Sequence, residues 1–166
     1  MEVLKMKLVP ITAIALLLAP AAMAAEINVT VSDDFQTKLQ DDYGTREGDY
    51  LIKDVKDDLT RELDKAGVDT ARIDVTIVDA KPSKPTFKQL GDQPGLDYGL
   101  SKSLGGMKLS AVAYDDAGEK TGEYEYSWYE HDLRMTGITT WYDANRASNR
   151  FARNFAEDLK DGELAN

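Results

Sequence analysis

The stretch MKLSAVAYDDAGEKTGEYEYSWYE, residues 107–130, decides the fold. Met107, Leu109, Ala111 and Ala113 recur at every second position, which sends them to one side of an extended chain. Asp115-Asp116-Ala117-Gly118 follows with the short polar side chains and the glycine of a tight turn. From Thr121 to Glu130 the alternation returns, with Tyr124, Tyr126 and Trp128 on one face and Glu123, Glu125, Ser127 and Tyr129 on the other. The pattern is an antiparallel hairpin whose apolar face needs a covering layer.

The cover is legible on both sides of the hairpin. Downstream, Ala144, Ala147, Phe151, Phe155 and Leu159 fall on one side of a helix spanning about Asp143 to Leu159, while Arg146, Arg150, Arg153 and Glu157 fall on the other and face water. Upstream, Ile27, Val29 and Val31 alternate with polar residues as a first strand, and Ile73, Val75 and Ile77 alternate as a second. Between them Asp49 can cap a helix carrying Ile52, Val55, Leu59, Leu63 and Ala66 at steps of three and four, with Gly67 as its stop. The expectation is one α+β domain in the order β-α-β-β-β-α. Its four-stranded, largely antiparallel sheet has both helices on one face, and a crossover makes strands one and two parallel neighbours.

Between the second strand and the hairpin neither period is sustained. Residues 81–106 hold Pro82, Pro85 and Pro94 with Gly91, Gly95, Gly99, Gly105 and Gly106, and they read as a long Pro/Gly-rich loop. Lys81, Lys84, Lys88 and Lys102 outnumber Asp92 and Asp97 there, so the loop is locally positive. Phe87, Leu90, Leu96, Tyr98 and Leu100 are too many large apolar groups for a solvated linker. Recognition element and packed structural loop both remain open readings.

The chain begins with an export pattern. Lys5 and Lys7 precede the apolar run Leu8–Leu18, and Ala22-Met23-Ala24 supplies the small residues that signal peptidase requires, so residues 1–24 read as a secretory signal peptide and 25–166 as the mature domain. Met6-Lys7 makes a more conventional signal start than Met1 with its acidic Glu2, so either methionine is a candidate initiator. The expected location is the periplasm, with no transmembrane segment. Removing Lys5, Lys7 and Glu2 leaves 18 basic and 29 acidic residues, a net charge of −11 that opposes nucleic acid as a partner. The chain has no cysteine, which excludes disulfides and thiolate chemistry.

No constellation specifies a reaction. His131 is the single histidine, and its neighbour Asp132 points to the opposite face of a strand, so the two make no catalytic pair. Gly99-Leu100-Ser101-Lys102-Ser103 approaches a hydrolase nucleophile elbow but has Ser103 where the elbow needs glycine. One histidine without cysteine makes a poor zinc site, and no calcium loop is present in the sequence. Asp54 and Asp58 share a helix face among Lys53, Asp57 and Arg61, as a solvated face does. No catalytic residue, metal ligand or cofactor is assigned.

The segments Pro85-Thr86-Phe87-Lys88-Gln89-Leu90, Pro94-Gly95-Leu96, Gly105-Gly106-Met107 and Trp141-Tyr142-Asp143-Ala144-Asn145-Arg146 through Phe151-Ala152 resemble a group of small exported proteobacterial proteins of unknown function. Many of that group are similar to envelope lipoproteins with a strand-helix-three-strand-helix domain. The resemblance spans most of the mature chain and implies the fold; it carries over no catalytic residue. The lipobox cysteine of the lipoprotein members is missing here, so their lipid anchor is not implied.

The expected function is therefore non-catalytic binding or accessory work in the bacterial envelope, with an envelope protein or assembly as partner. Lys84, Phe87, Lys88, Tyr98, Tyr129 and His131 are the candidate contacts, drawn from the loop and the outward side of the hairpin. The alternatives are a small-ligand or cell-wall-binding module using the aromatics, and a hydrolase using Ser101 or His131.

Overall fold

Ile27, Ile73, Val75, Ile77, Met107, Leu109, Ala111 and Ala113 are all buried on one side of a four-stranded sheet, as their two-residue spacing requires. In the computed structural model, which describes residues 25–68 and 70–164, the strands are β1 (Glu26–Val31), β2 (Arg72–Lys81), β3 (Gly106–Tyr114) and β4 (Lys120–Tyr129). They lie in the order β1-β2-β3-β4. β1 runs parallel to β2, while β2–β3 and β3–β4 are antiparallel. The sheet is thus mixed, with one parallel pair where the crossover demands it. The export signal at residues 1–24 and the choice of Met1 or Met6 lie outside the described residues.

Among the described residues four α-helices accompany the sheet, two more than the periodicity indicates. Asp33–Lys38 (α1) continues into a wider, π-type turn over Leu39–Tyr43, closed by Gly44 N–H donating to the Leu39 carbonyl at 2.7 Å. Phe35, Leu39 and Tyr43 step by four and pack on the core, a helical stripe inside what reads as a polar connection. The crossover helix α2 is Thr45–Ala66, starting four residues before Asp49, because Gly44 at φ 103° turns the chain where a side chain would be strained. It stops at Gly67, whose φ of 64° is the left-handed cap that glycine favours. Phe87–Asp92 (α3) lies within the expected loop, started by a capping box: Thr86 Oγ1 accepts from Gln89 N–H and Gln89 Oε1 from Thr86 N–H. Tyr142–Asp161 (α4) closes the chain.

α2 and α4 lie side by side on the apolar face. Leu51, Val55, Leu59 and Leu63 of α2 meet Ala144, Ala147, Phe151, Ala152 and Phe155 of α4 in one core with the sheet. Phe151 and Phe155 stack with centroids 5.9 Å apart, and Tyr124 of β4 reaches both, at 5.9 and 6.0 Å. Tyr124 and Tyr126 therefore pack beneath α4 as the alternation requires. The helix pair also buries polar groups: Ser148 Oγ donates to Asp58 Oδ2 at 2.8 Å, and Arg61 holds the other oxygen. Beside it, burial and then the charges of Asp58 and Asp57 push the Asp54 carboxyl up to about 6, against the pull of Arg61 and Lys53.

Phe151→Ala should lower stability by about 3–5 kcal/mol, since the ring is fully buried among two helices and a strand. Urea unfolding of the mature protein measures it, and a cost below that of Arg153→Ala would invert the assigned helix phase. Asp54 gives a pH-dependent result of opposite sign. Its folded-state pKa is raised, so the fold favours the protonated form and loses stability as pH rises from about 4 to 6. Asp54→Asn should stabilise the protein by about 1–2 kcal/mol at pH 7, with the advantage vanishing below about pH 4.

Candidate functional site

β2 ends, β3 begins, β4 ends and both long helices start at the same end of the sheet, so residues 81–106 and 130–141 emerge there together. A buried hydrogen-bonded clamp fixes the base of these two segments. Ser83 Oγ donates to Asp143 Oδ2 at 2.7 Å and accepts from Asp143 N–H at 3.1 Å, with both side chains fully buried. Ser83 N–H donates to the Thr140 carbonyl, and Ser103 N–H to the Ser83 carbonyl. Gly105 lies so close that a Cβ there would sit 2.4 Å from Ser83 Oγ. Arg146 then bridges outward from Asp143 to Glu130, whose carboxylate also accepts from the backbone N–H groups of His131 and Asp132. The His131 N–H leads the effects that hold Glu130 below the usual carboxylate range.

Above this clamp three separated segments bring aromatic rings to one groove. Tyr50 comes from the first turns of α2, Phe87 opens α3, and Tyr98 lies on the return of the loop. With Arg46, Glu47, Thr139, Thr140 and Trp141 they line a hollow of about 390 Å³. Phe87 is 87% exposed and Leu100 86%, large apolar side chains that the fold leaves in water. Trp141 is its buried floor, its Nε1 donating to Glu47 at 2.6 Å and its ring edge-on to Tyr43 at 5.8 Å. The arrangement is a surface hollow with rings on its walls and hydroxyls and charges between them, suited to contact and stacking.

The residues expected to contact a partner divide sharply. Phe87 and Tyr98 share the groove, and Lys88 follows Phe87 on α3, paired with Asp92. Lys84 is only 4% exposed: the packed start of the loop buries its stem, and its ammonium donates to the Gly99 carbonyl at 2.7 Å. As a free surface charge it is corrected; it is a strut across the loop. Tyr129 stands on the open face of the sheet but is half-buried there, its hydroxyl donating to Asp79 Oδ2 at 3.1 Å. Burial, followed by the Asp79 charge, raises its pKa. His131 lies just past β4 with its side chain 91% exposed, Nδ1 3.7 Å from Glu130.

Ser101 accepts a hydrogen bond from Asp97 N–H and lines a small hollow with Pro85, Gln89, Gln93, Leu96, Lys102 and Ser103. His131 is not among the groups facing it. The loop as a whole is structural at its base, where Pro82–Thr86 are buried, and exposed at its tip. The sequence reading missed Tyr50, which no spacing marks, and Ser83 and Asp143, whose partnership across 60 positions leaves no local signal.

No family model matches the chain, and no curated protein matches it. Among solved structures, the crystal structure of a minor lipoprotein from Acinetobacter baumannii aligns with a TM-score of 0.38 and 11% sequence identity, covering 86% of this chain and 97% of that one. A likeness of this size assigns neither fold nor function.

Asp143→Ala should cost about 2–4 kcal/mol, because it strips the buried Ser83 hydroxyl of its acceptor. Amide hydrogen exchange should quicken across 81–106 and 137–141 before it does in β2 and β3. Uniform quickening would show that the clamp serves the whole domain and does not hold the loops in particular.

Proposed function

We propose that this protein is a non-catalytic binding or accessory protein of the bacterial envelope, working in the periplasm. One observation carries the reading: Tyr50, Phe87 and Tyr98, from three distant segments, expose their rings around one groove over a hydrogen-bonded base. Core economy does not explain a phenylalanine at the start of a capped helix facing water. Rings held by a stiff support lose little entropy on contact, which is what a recognition surface requires. The periplasmic location is supported by the charged, apolar and small-residue order of residues 1–24.

The partner in this reading is an envelope protein or assembly that buries Phe87 and Tyr98, with Lys88 next to Phe87 on α3. A second reading has support in the same groove. Thr139, Thr140, Arg46 and Glu47 set hydroxyl and charged groups between the rings, a lining that also suits a cell-wall saccharide stacked on Tyr50 or Tyr98.

Phe87→Asp and Tyr98→Asp should leave the urea midpoint nearly unchanged, since both side chains are exposed. Tagged mature protein carrying either change should lose the envelope proteins captured by the unchanged protein. Capture that survives both substitutions would move the binding surface elsewhere. Sedimentation with purified sacculi that Tyr98→Asp abolishes would favour the saccharide reading.

A further inference from the structure

The solvent side of α4 carries a second feature that the aromatic groove does not use. Arg146, Arg150 and Arg153, spaced by four and three, line a hollow of about 400 Å³ with Tyr142, Asn145 and Asn149. Trp128 of β4 positions two of them, with the Arg150 guanidinium 4.5 Å and the Arg146 guanidinium 5.0 Å from its ring centroid. Stacking fixes the plane of a guanidinium while leaving its N–H edge free. Arg146 spends its edge on Glu130 and Asp143. Arg150 and Arg153 make no ion pair among the described residues, on a chain whose mature form has eleven more acidic than basic groups.

The two hollows adjoin. Thr139 lines both, and Asn145 Nδ2 donates at 2.7 Å to the hydroxyl of Tyr50, joining the wall of one to the wall of the other. Ile138, the chain neighbour of Thr139, is 76% exposed. We propose that the two hollows together receive one acidic amphipathic polypeptide segment, its carboxylates against Arg150 and Arg153 and an apolar side chain in the groove of Tyr50, Phe87 and Tyr98. The apolar half rests on the reading of the groove as a binding site; the acidic half rests on α4 alone.

Charge decides the class of partner. A net charge of −11 repels a long polyanion or an anionic bilayer, while two unpaired guanidiniums on one helix flank can satisfy a few carboxylates at close range. Planar guanidiniums held by a ring suit the bidentate geometry of carboxylates, and the adjoining rings suit the apolar residues between them. A short segment with a few acids and an aromatic or aliphatic anchor meets both conditions.

The test is selection of random dodecapeptides displayed on phage against the intact mature protein. The enriched pool should be net acidic with aromatic or large aliphatic residues, and a synthetic member of it should lose affinity about tenfold or more on Arg150→Glu/Arg153→Glu. Added salt should weaken the unchanged protein and hardly affect the double variant. Both arginines are solvent-facing, and circular dichroism confirms the fold of the variant. No enrichment, a neutral or basic pool, or indifference to the charge reversal would overturn the proposal. Apolar peptides that need Phe87 but carry no acids would leave the groove reading standing and remove this one. Acidic peptides indifferent to Phe87→Asp would do the opposite, sparing the arginine flank and removing the groove. Arginine-dependent binding to phosphatidylglycerol vesicles without peptide enrichment would overturn it in favour of a lipid headgroup.

Discussion

The buried pair of Ser83 and Asp143 is the constraint on which the loop end of this molecule depends. A buried carboxylate needs its charge offset: Asp143 Oδ2 accepts from a hydroxyl 60 positions away, and Oδ1 lies 3.5 Å from the Arg146 guanidinium. That requirement fixes Ser83 beside the first turn of α4, where the positive end of the helix dipole also favours an acidic side chain. Everything on either side follows from the placement. Ser83 brings Ser103 and Thr140 to its backbone, Gly105 must remain without a side chain, and Arg146 links Asp143 to Glu130 at the end of β4. The exposed rings of Phe87 and Tyr98 are carried on a base tied to the domain by these bonds.

This division explains why residues 81–106 combine the chemistry of a loop with the apolar content of a core. Pro82 to Thr86 are buried and hold the segment to the domain; Phe87 to Leu100 cross the surface and display side chains. Lys84 illustrates the difference between a charge in a sequence and a charge on a surface. Its ammonium is absorbed by the Gly99 carbonyl, so the local positive excess read from composition is smaller on the surface than in the chain. A positive surface lies on α4, where two of the arginines that read as a plain solvent face lie over the Trp128 ring.

The sheet was legible because each strand has one wet face and one dry one, and a two-residue period records that directly. β1, β2, β3 and β4 all carry that period, α2 and α4 carry steps of three and four, and the crossover between β1 and β2 marks the parallel first pair. The elements that escaped are short or lack a full period. α1 and the following turn show a single stripe of Phe35, Leu39 and Tyr43, and α3 is signalled only by Thr86 and Gln89 at capping spacing. The candidate site was half legible. Exposed aromatics in a glycine-rich stretch marked Phe87 and Tyr98, but Tyr50 joins them only through tertiary packing, and no local pattern predicts that a serine and an aspartate will meet across the domain.

α4 shows how one amphipathic helix can serve three demands without conflict. Its apolar stripe of Ala147, Phe151 and Phe155 fills the space over β3 and β4. Its first turn supplies the Asp143 clamp that fixes the loops. Its outer flank holds the Arg150 guanidinium 4.5 Å from the ring centroid of the edge-strand tryptophan, with no ion pair among the described residues. An arginine ordered by a ring keeps its charge available, whereas one ordered by a carboxylate does not. Arg146 and Arg150 sit one turn apart on the same tryptophan and differ in that respect: the first is joined to the clamp, and the second is left to face whatever approaches the helix.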